Sequence, residues 1–349
     1  MAKELPFNPL RFIKGSHQQT IFGSFFNFHI SPKSQRAFIK LDDNDELAIE
    51  ISTPRKWKEH DPTVVMIHGL CGSHKSAYLI RMAKKLKRIG IRAVRLNLRG
   101  CGSGKGRARK IYHGGQSTDV LHVLKEIKKQ TPHSPIILIG FSLGGNIVLK
   151  LGGELKQQGS DYLHAVMAIN PPMDMLACVK RMGQDENKFY ERYFVKLMKE
   201  DLAFRQKLFN EDLPQVVLPK EMTLMDFDEL YTAPYFGFTN AIDYYTKCSA
   251  INFASDISVP CRILFSQDDP IIAMPAFESI QLPENVEVYT TKNGGHMGYL
   301  SSPIKEGFHW LDKILIQWIT QHFKWEKKKK RFIQDHSKTV EPFDEYNQS

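Results

Sequence analysis

The chain of 349 residues predicts an α/β fold: a mostly parallel central sheet with helices on both faces. Three observations lead there. Short, continuous apolar runs at 63–67 and 135–139 have the length and composition of strands buried on both faces. Segments with apolar residues at helical spacing alternate with these runs, the rhythm of right-handed crossover connections. The runs also end in turn residues, which gathers loops at the C-terminal edge of the sheet, where open α/β sheets build their sites.

Taken in order, residues 1–35 are rich in aromatics and turn residues without a clear period, and they are expected to pack as a segment on the main body. Runs 36–41 and 46–52 flank Asp42-Asp43-Asn44-Asp45 and predict a hairpin. Strand 63–67 leads into His68-Gly69-Leu70-Cys71-Gly72-Ser73 and a helical stretch to about Arg88. Strand 91–96 leads into Asn97-Leu98-Arg99-Gly100. A helix capped by Thr118 follows, with Val120, Leu121, Leu124 and Ile127 on its apolar face. Strand 135–139, the turn Gly140-Phe141-Ser142-Leu143-Gly144 and a helix through Leu151 come next, and then strand 163–169, closed by Asn170-Pro171-Pro172.

The rhythm breaks at about 173–249, which is helical, charged and rich in Met, Phe and Tyr. This predicts a helical lid inserted over the C-terminal edge of the sheet. Strands at 261–265 and 286–290 resume the pattern. A final helix over about 304–323 carries Leu311, Ile314, Leu315, Trp318 and Ile319 as a core-facing stripe. The expectation is one domain over 1–325 and a basic, flexible tail over 326–349.

Bulk properties narrow the function. Composition is ordinary for a globular protein, with 42% hydrophobic and 25% charged residues. No apolar run is long enough to span a membrane, and the N-terminus lacks the apolar stretch of a secretory signal. The five cysteines are scattered and odd in number, which reads as reduced thiols in a cytoplasmic protein and argues against a metal site. The net charge of +10 is concentrated in 324–333. A solvated tail is the simpler reading of that run. Interleaved Trp and Phe also allow peripheral contact with anionic lipid. Nucleic-acid binding is not expected, because no recognition module accompanies the charge.

The chemistry starts at Ser142. A buried strand, a sharp turn bearing Ser between glycines, then a helix is the context of a G-x-S-x-G nucleophile elbow. A bare G-x-S-x-G also arises as a capped turn, so the partners decide. A serine hydroxyl needs a base, and the base needs a carboxylate. Asp269 and His296 lie just past successive strands, in the order Ser, Asp, His. Asp268 is the rival carboxylate; Asp269 is preferred because Pro270 fixes the turn after it. The backbone amides of Leu143 and Leu70 are the expected oxyanion donors, with Gly69 letting the backbone approach. His68 is expected to order its loop rather than to react. Gly100-Cys101-Gly102-Ser103-Gly104-Lys105-Gly106 fails the spacing of a phosphate-binding loop and reads as a flexible turn.

These residues resemble the YheT-like (EMB8-like) branch of the α/β-hydrolases over nearly the whole chain. The resemblance rests on His68-Gly69-Leu70, on Asn97-Leu98-Arg99-Gly100-Cys101 and on Gly140-Phe141-Ser142-Leu143-Gly144-Gly145-Asn146. It extends to Phe227-Asp228 with Asp243-Tyr244-Tyr245, to Asp268-Asp269-Pro270 and to Gly294-Gly295-His296. Gln267 and Met297 depart from the pattern, outside the three key residues. The resemblance implies a serine esterase or lipase with Ser142, Asp269 and His296 as its triad, no cofactor, and short-chain or lipid esters as substrates. An acyltransferase on the same triad and a non-catalytic binding protein on a hydrolase shell are the competing expectations.

Overall fold

The computed structural model describes residues 2–25, 30–211, 213, 215–277, 280–302 and 307–323. The basic run at 324–333 therefore lies outside the described residues. Nine strands form one sheet in the order β1-β9-β8-β7-β6-β4-β5-β3-β2. They are β1 (Lys3–Glu4), β2 (Gln35–Lys40), β3 (Glu46–Ser52), β4 (Thr63–Ile67), β5 (Arg92–Leu96), β6 (Ile136–Phe141), β7 (Ala165–Ile169), β8 (Cys261–Ser266) and β9 (Val286–Thr291). All neighbours are parallel except β3, which runs antiparallel to β5 and forms the predicted hairpin with β2.

The apolar runs form central strands because both of their faces are covered. In β4, Val65 and Ile67 point into one core with Val120, Val123 and Leu124 of the helix Ser117–Gln130 and Ile147 of the helix Leu143–Leu155. Val64 and Met66 point into the opposite core, where Leu79, Met82 and Leu86 of the helix Ala77–Arg88 meet Leu311, Leu315 and Trp318 of the last helix. Each fully buried aliphatic side chain contributes roughly 1.5–3 kcal/mol. A one-residue slip of β4 would exchange the two sets.

Three local expectations need correction. The helix beginning at Ser117 has Gln116, not Thr118, at its N-cap, and no side chain caps it. Asp119 near its start instead bonds Arg99 through both carboxylate oxygens. The last helix runs Trp310–His322 and starts later than its apolar pattern suggests, because Leu300 and Ser301 bridge to His309 and Pro9 before it. The glycine turn after β5 is a turn, but a tethered one. Arg205, buried on the helix Lys188–Leu208, donates to the carbonyls of Arg99, Ala108 and Lys110. No sequence pattern signals that long-range contact.

The N-terminal residues are tied to the C-terminal part of the sheet. β1 pairs parallel with β9 at its edge, Lys3 opposite Tyr289. The helix Ser16–Phe25 lies against the loop after β9, where the Gln19 side chain donates to Leu300 O and accepts the Leu300 N–H. Between β7 and β8 the chain is helical, with Met175–Met182, Lys188–Leu208 and Ala241–Cys248 as its main elements.

Candidate active site

Ser142 sits between β6 and the helix Leu143–Leu155 with φ 51° and ψ −123°, a strained conformation for a residue with a side chain. Two features hold it there. Its N–H donates to Ile169 O at 2.8 Å, pinning the turn to β7. Close packing supplies the second, since a Cβ on Gly140 would lie 2.1 Å from Gly144 O and one on Gly144 would lie 2.5 Å from His68 O. Both positions therefore require glycine.

His296 lies on the loop after β9, and Asp269 on the loop after β8. Ser142 Oγ lies 2.9 Å from His296 Nε2, and His296 Nδ1 lies 2.8 Å from Asp269 Oδ2. With Nδ1–H donating to the carboxylate, Nε2 is left to accept the serine proton. The structure thus brings the three predicted side chains into one hydrogen-bonded chain. The rival Asp268 turns away to accept the Gly295 N–H and the Ser266 hydroxyl, so it braces the histidine loop.

Asp269 is 1% exposed. Burial pushes its carboxyl up, but His296, Asn170 and the Ile272 amide outweigh burial and hold it below the usual carboxylate range. Oδ1 accepts from the Ile271 and Ile272 amides, and Oδ2 accepts from the Asn170 side chain as well as His296. Such a carboxylate can fix the imidazole tautomer and stabilise the imidazolium that forms.

Leu70 and Leu143 both border the cavity at Ser142. Among the described residues neither backbone amide donates to a protein acceptor. A Cβ on Gly69 would lie 2.9 Å from Ser142 Cβ, so glycine is what lets this loop come close. His68 is fully buried; its Nδ1 donates to Gly69 O and its Nε2 accepts the Leu98 N–H. Burial lowers its pKa to about 4, so it stays neutral and orders the loop.

Several supporting residues were given no role by the sequence reading. Asn170, at φ 45°, links Asp269 to the Tyr299 hydroxyl. Thr20 accepts the His296 N–H from the N-terminal helix. Arg181 donates to the carbonyls of Asp269 and Pro270. Asn170, directly after an apolar strand, and Thr20, within His17-Gln18-Gln19-Thr20-Ile21, stood at positions that could have drawn attention.

Two cavities meet at Ser142 and His296. One runs among the buried side chains of Met175, Met182 and Leu224 and the half-buried Phe194. The other, about 1580 Å³, opens toward the surface past Phe189 and Tyr193, which are 69% and 53% exposed. Among the described residues no cluster of three or more His, Cys, Asp or Glu is placed to hold a metal ion. None of the described helices is long and apolar enough to cross a membrane. All five cysteines are free.

Comparison with known proteins agrees with this architecture. Residues 62–303 match the family model described as alpha/beta hydrolase fold. YheT of Escherichia coli (strain K12), a predicted esterase, is 30% identical over 90% of this chain and 93% of its own length. The monoacylglycerol lipase of Saccharomyces cerevisiae is 24% identical over 74% of this chain and 59% of its own. Est1E from Butyrivibrio proteoclasticus superposes with a TM-score of 0.53 at 16% identity, covering 82% of this chain and 99% of that one, which shows the shared fold. With its parallel sheet, its strained serine turn and the loops that close on it, the chain belongs to the α/β-hydrolase family, in the YheT-like branch of esterase- and lipase-like members.

Proposed function

We propose that the protein is a serine carboxylic-ester hydrolase that works through an acyl-enzyme on Ser142. The observation that carries the reading is the continuous hydrogen-bond chain from Ser142 Oγ through His296 to Asp269. Ser142 Oγ attacks the ester carbonyl while its proton passes to His296 Nε2. The Leu70 and Leu143 amides stabilise the oxyanion. Collapse of the tetrahedral intermediate breaks the ester C–O bond, and His296 returns the proton to the departing alcohol. Water then enters, gives its proton to His296 and attacks the acyl carbonyl. The acid leaves as Ser142 regains its proton.

The buried, methionine-rich cavity favours short- to medium-chain acyl groups or lipid esters, and a monoacylglycerol lipase among the relatives points the same way. The helical stretch 173–249 serves as lid and pocket wall. Labelling with a fluorophosphonate probe and hydrolysis of p-nitrophenyl esters test the assignment together. Ser142→Ala should lose labelling and reduce turnover by about 10⁶-fold. An unchanged rate in that variant refutes it. Product analysis with added alcohols separates hydrolysis from acyl transfer.

A further inference from the structure

The cavity at Ser142 is also bordered by polar groups that ester hydrolysis does not use. Asp228 and Thr232 bracket a five-residue π-helical turn, Asp228–Thr232, a rare backbone form that concentrates at functional sites. Both residues border the cavity that begins at Ser142, and they are 5% and 1% exposed. The Tyr245 hydroxyl donates to Asp228 Oδ2 at 2.6 Å. Among the described residues no donor meets Oδ1 and no cation pairs with the carboxyl. Thr232 Oγ1 is buried and makes no hydrogen bond of good geometry, yet it lies close to the Asp228 carboxyl and favours its charged form more than the Tyr245 hydroxyl does.

Much of the wall is apolar, including Met175, Met182 and Leu224, although His113 and Tyr244 also border it. A channel for a plain alkyl chain is best served by apolar residues throughout, because buried polar groups cost free energy unless they are hydrogen-bonded. An acceptor with free lone pairs beside an unpartnered hydroxyl fits a ligand that brings its own polar group. A hydroxyl meets both needs, since it can donate to Asp228 and accept from Thr232. An ammonium group could not accept, and a carboxylate would meet Asp228 as a like charge.

We propose that this cavity selects acyl chains that carry a hydroxyl group away from the ester, with Asp228 and Thr232 as specificity-determining residues. The assignment of the acyl chain to this cavity rests on the hydrolytic reading. The acyl group remains on Ser142 between the two steps and needs enclosure, whereas the alcohol can leave through the second cavity, past the exposed Phe189 and Tyr193. Burial raises the Asp228 carboxyl to about 6, so it is an ionised acceptor in mildly alkaline solution.

The test uses methyl esters of graded chain length in three forms: plain, ω-hydroxy and ω-methoxy. Binding to Ser142→Ala is measured by calorimetry near pH 8, and kcat/KM is measured on the unmodified protein. At the chain length that reaches Asp228, the ω-hydroxy ester should bind and turn over about tenfold better than the other two. Asp228→Asn puts an amide donor where an acceptor stood, so the ω-methoxy ester should rise to match the ω-hydroxy ester. A purely structural aspartate would not reverse the preference in this way. Thr232→Val deletes the oxygen proposed to donate to the substrate hydroxyl, so it should weaken the preference. The proposal is overturned if no chain length favours the hydroxyl, or if both variants keep the original preference. Absence of ester turnover in the unmodified protein would refute the hydrolytic reading instead, while calorimetry on Ser142→Ala still reads the preference.

Discussion

Asp269, bonded to His296, and Asp228, on the wall of the cavity beside it, show that burial alone does not decide the state of a carboxyl. Their exposures are nearly equal, at 1% and 5%, and burial pushes both upward. Asp269 nevertheless ends below the usual carboxylate range, while Asp228 ends at about 6. The difference lies in the partners. Asp269 accepts from the Ile271 and Ile272 amides, Asn170 and His296, whereas Asp228 has only hydroxyls near it among the described residues, those of Thr232 and Tyr245. Donors that would leave with the fold hold the first as a charge at any ordinary pH. The second is left close to a change of protonation.

Substitution should separate the two most sharply in activity. Asp269→Asn should lower kcat by about 10⁴-fold, because an amide in place of the carboxylate favours the wrong imidazole tautomer. A loss below tenfold, read with any p-nitrophenyl ester the protein hydrolyses, would break the contrast at its stronger end.

Stability should then move in opposite directions. The folded state holds the Asp228 proton more tightly than the unfolded state, whose carboxyl has the ordinary value of 3.8. Stability contributed by this group is therefore present at low pH and falls as pH rises from about 4 to about 6. Asp228→Asn removes that loss. Denaturant melts near pH 8 should find the variant more stable by up to about 3 kcal/mol, with the gap closing toward pH 4. Asp269 has the reverse sign. Its lowered pKa contributes stability above the ordinary carboxylate value that is lost as pH falls through its folded value. Asp269→Asn should therefore be less stable at neutral pH, with a deficit that shrinks in acid. Two variants shifting the same way at neutral pH would show that partners do not explain the contrast.

The smallest effect expected is one bond removed from the Asp269 network. Tyr299→Phe deletes the hydroxyl that donates to Asn170 Oδ1 at 2.7 Å. It should cost ~1 kcal/mol in a denaturant melt and reduce turnover far less than Asp269→Asn does. A loss of activity as large as that of Asp269→Asn would mean that Asn170, not the carboxylate, governs the imidazole.

Much of this was legible in the sequence because it is written locally. Continuous apolar runs identify β4, β6 and β7, and Gly140 and Gly144 mark the strained turn at Ser142 from both sides. Asp269 and His296 could be found because each follows a recognisable strand. What remained hidden depends on residues far apart in the chain. β1 consists of Lys3 and Glu4, two charged residues with no strand-like pattern, and is a strand only because β9 offers an edge. The Arg205 tether spans 106 residues to the Arg99 carbonyl. Phe227-Asp228 and Asp243-Tyr244-Tyr245 stood out as motifs, yet only folding shows that Asp228 and Tyr245 meet.

The Thr20 hydroxyl that accepts the His296 N–H lies 276 positions earlier in the chain, and β1 pairs with β9 across almost the same separation. A ribosome therefore releases the beginning of this polypeptide long before the histidine that it must support has been synthesised. While translation is under way the emerging chain carries Ser142 without His296, and the hydrogen-bond chain between them can close only when these distant segments meet.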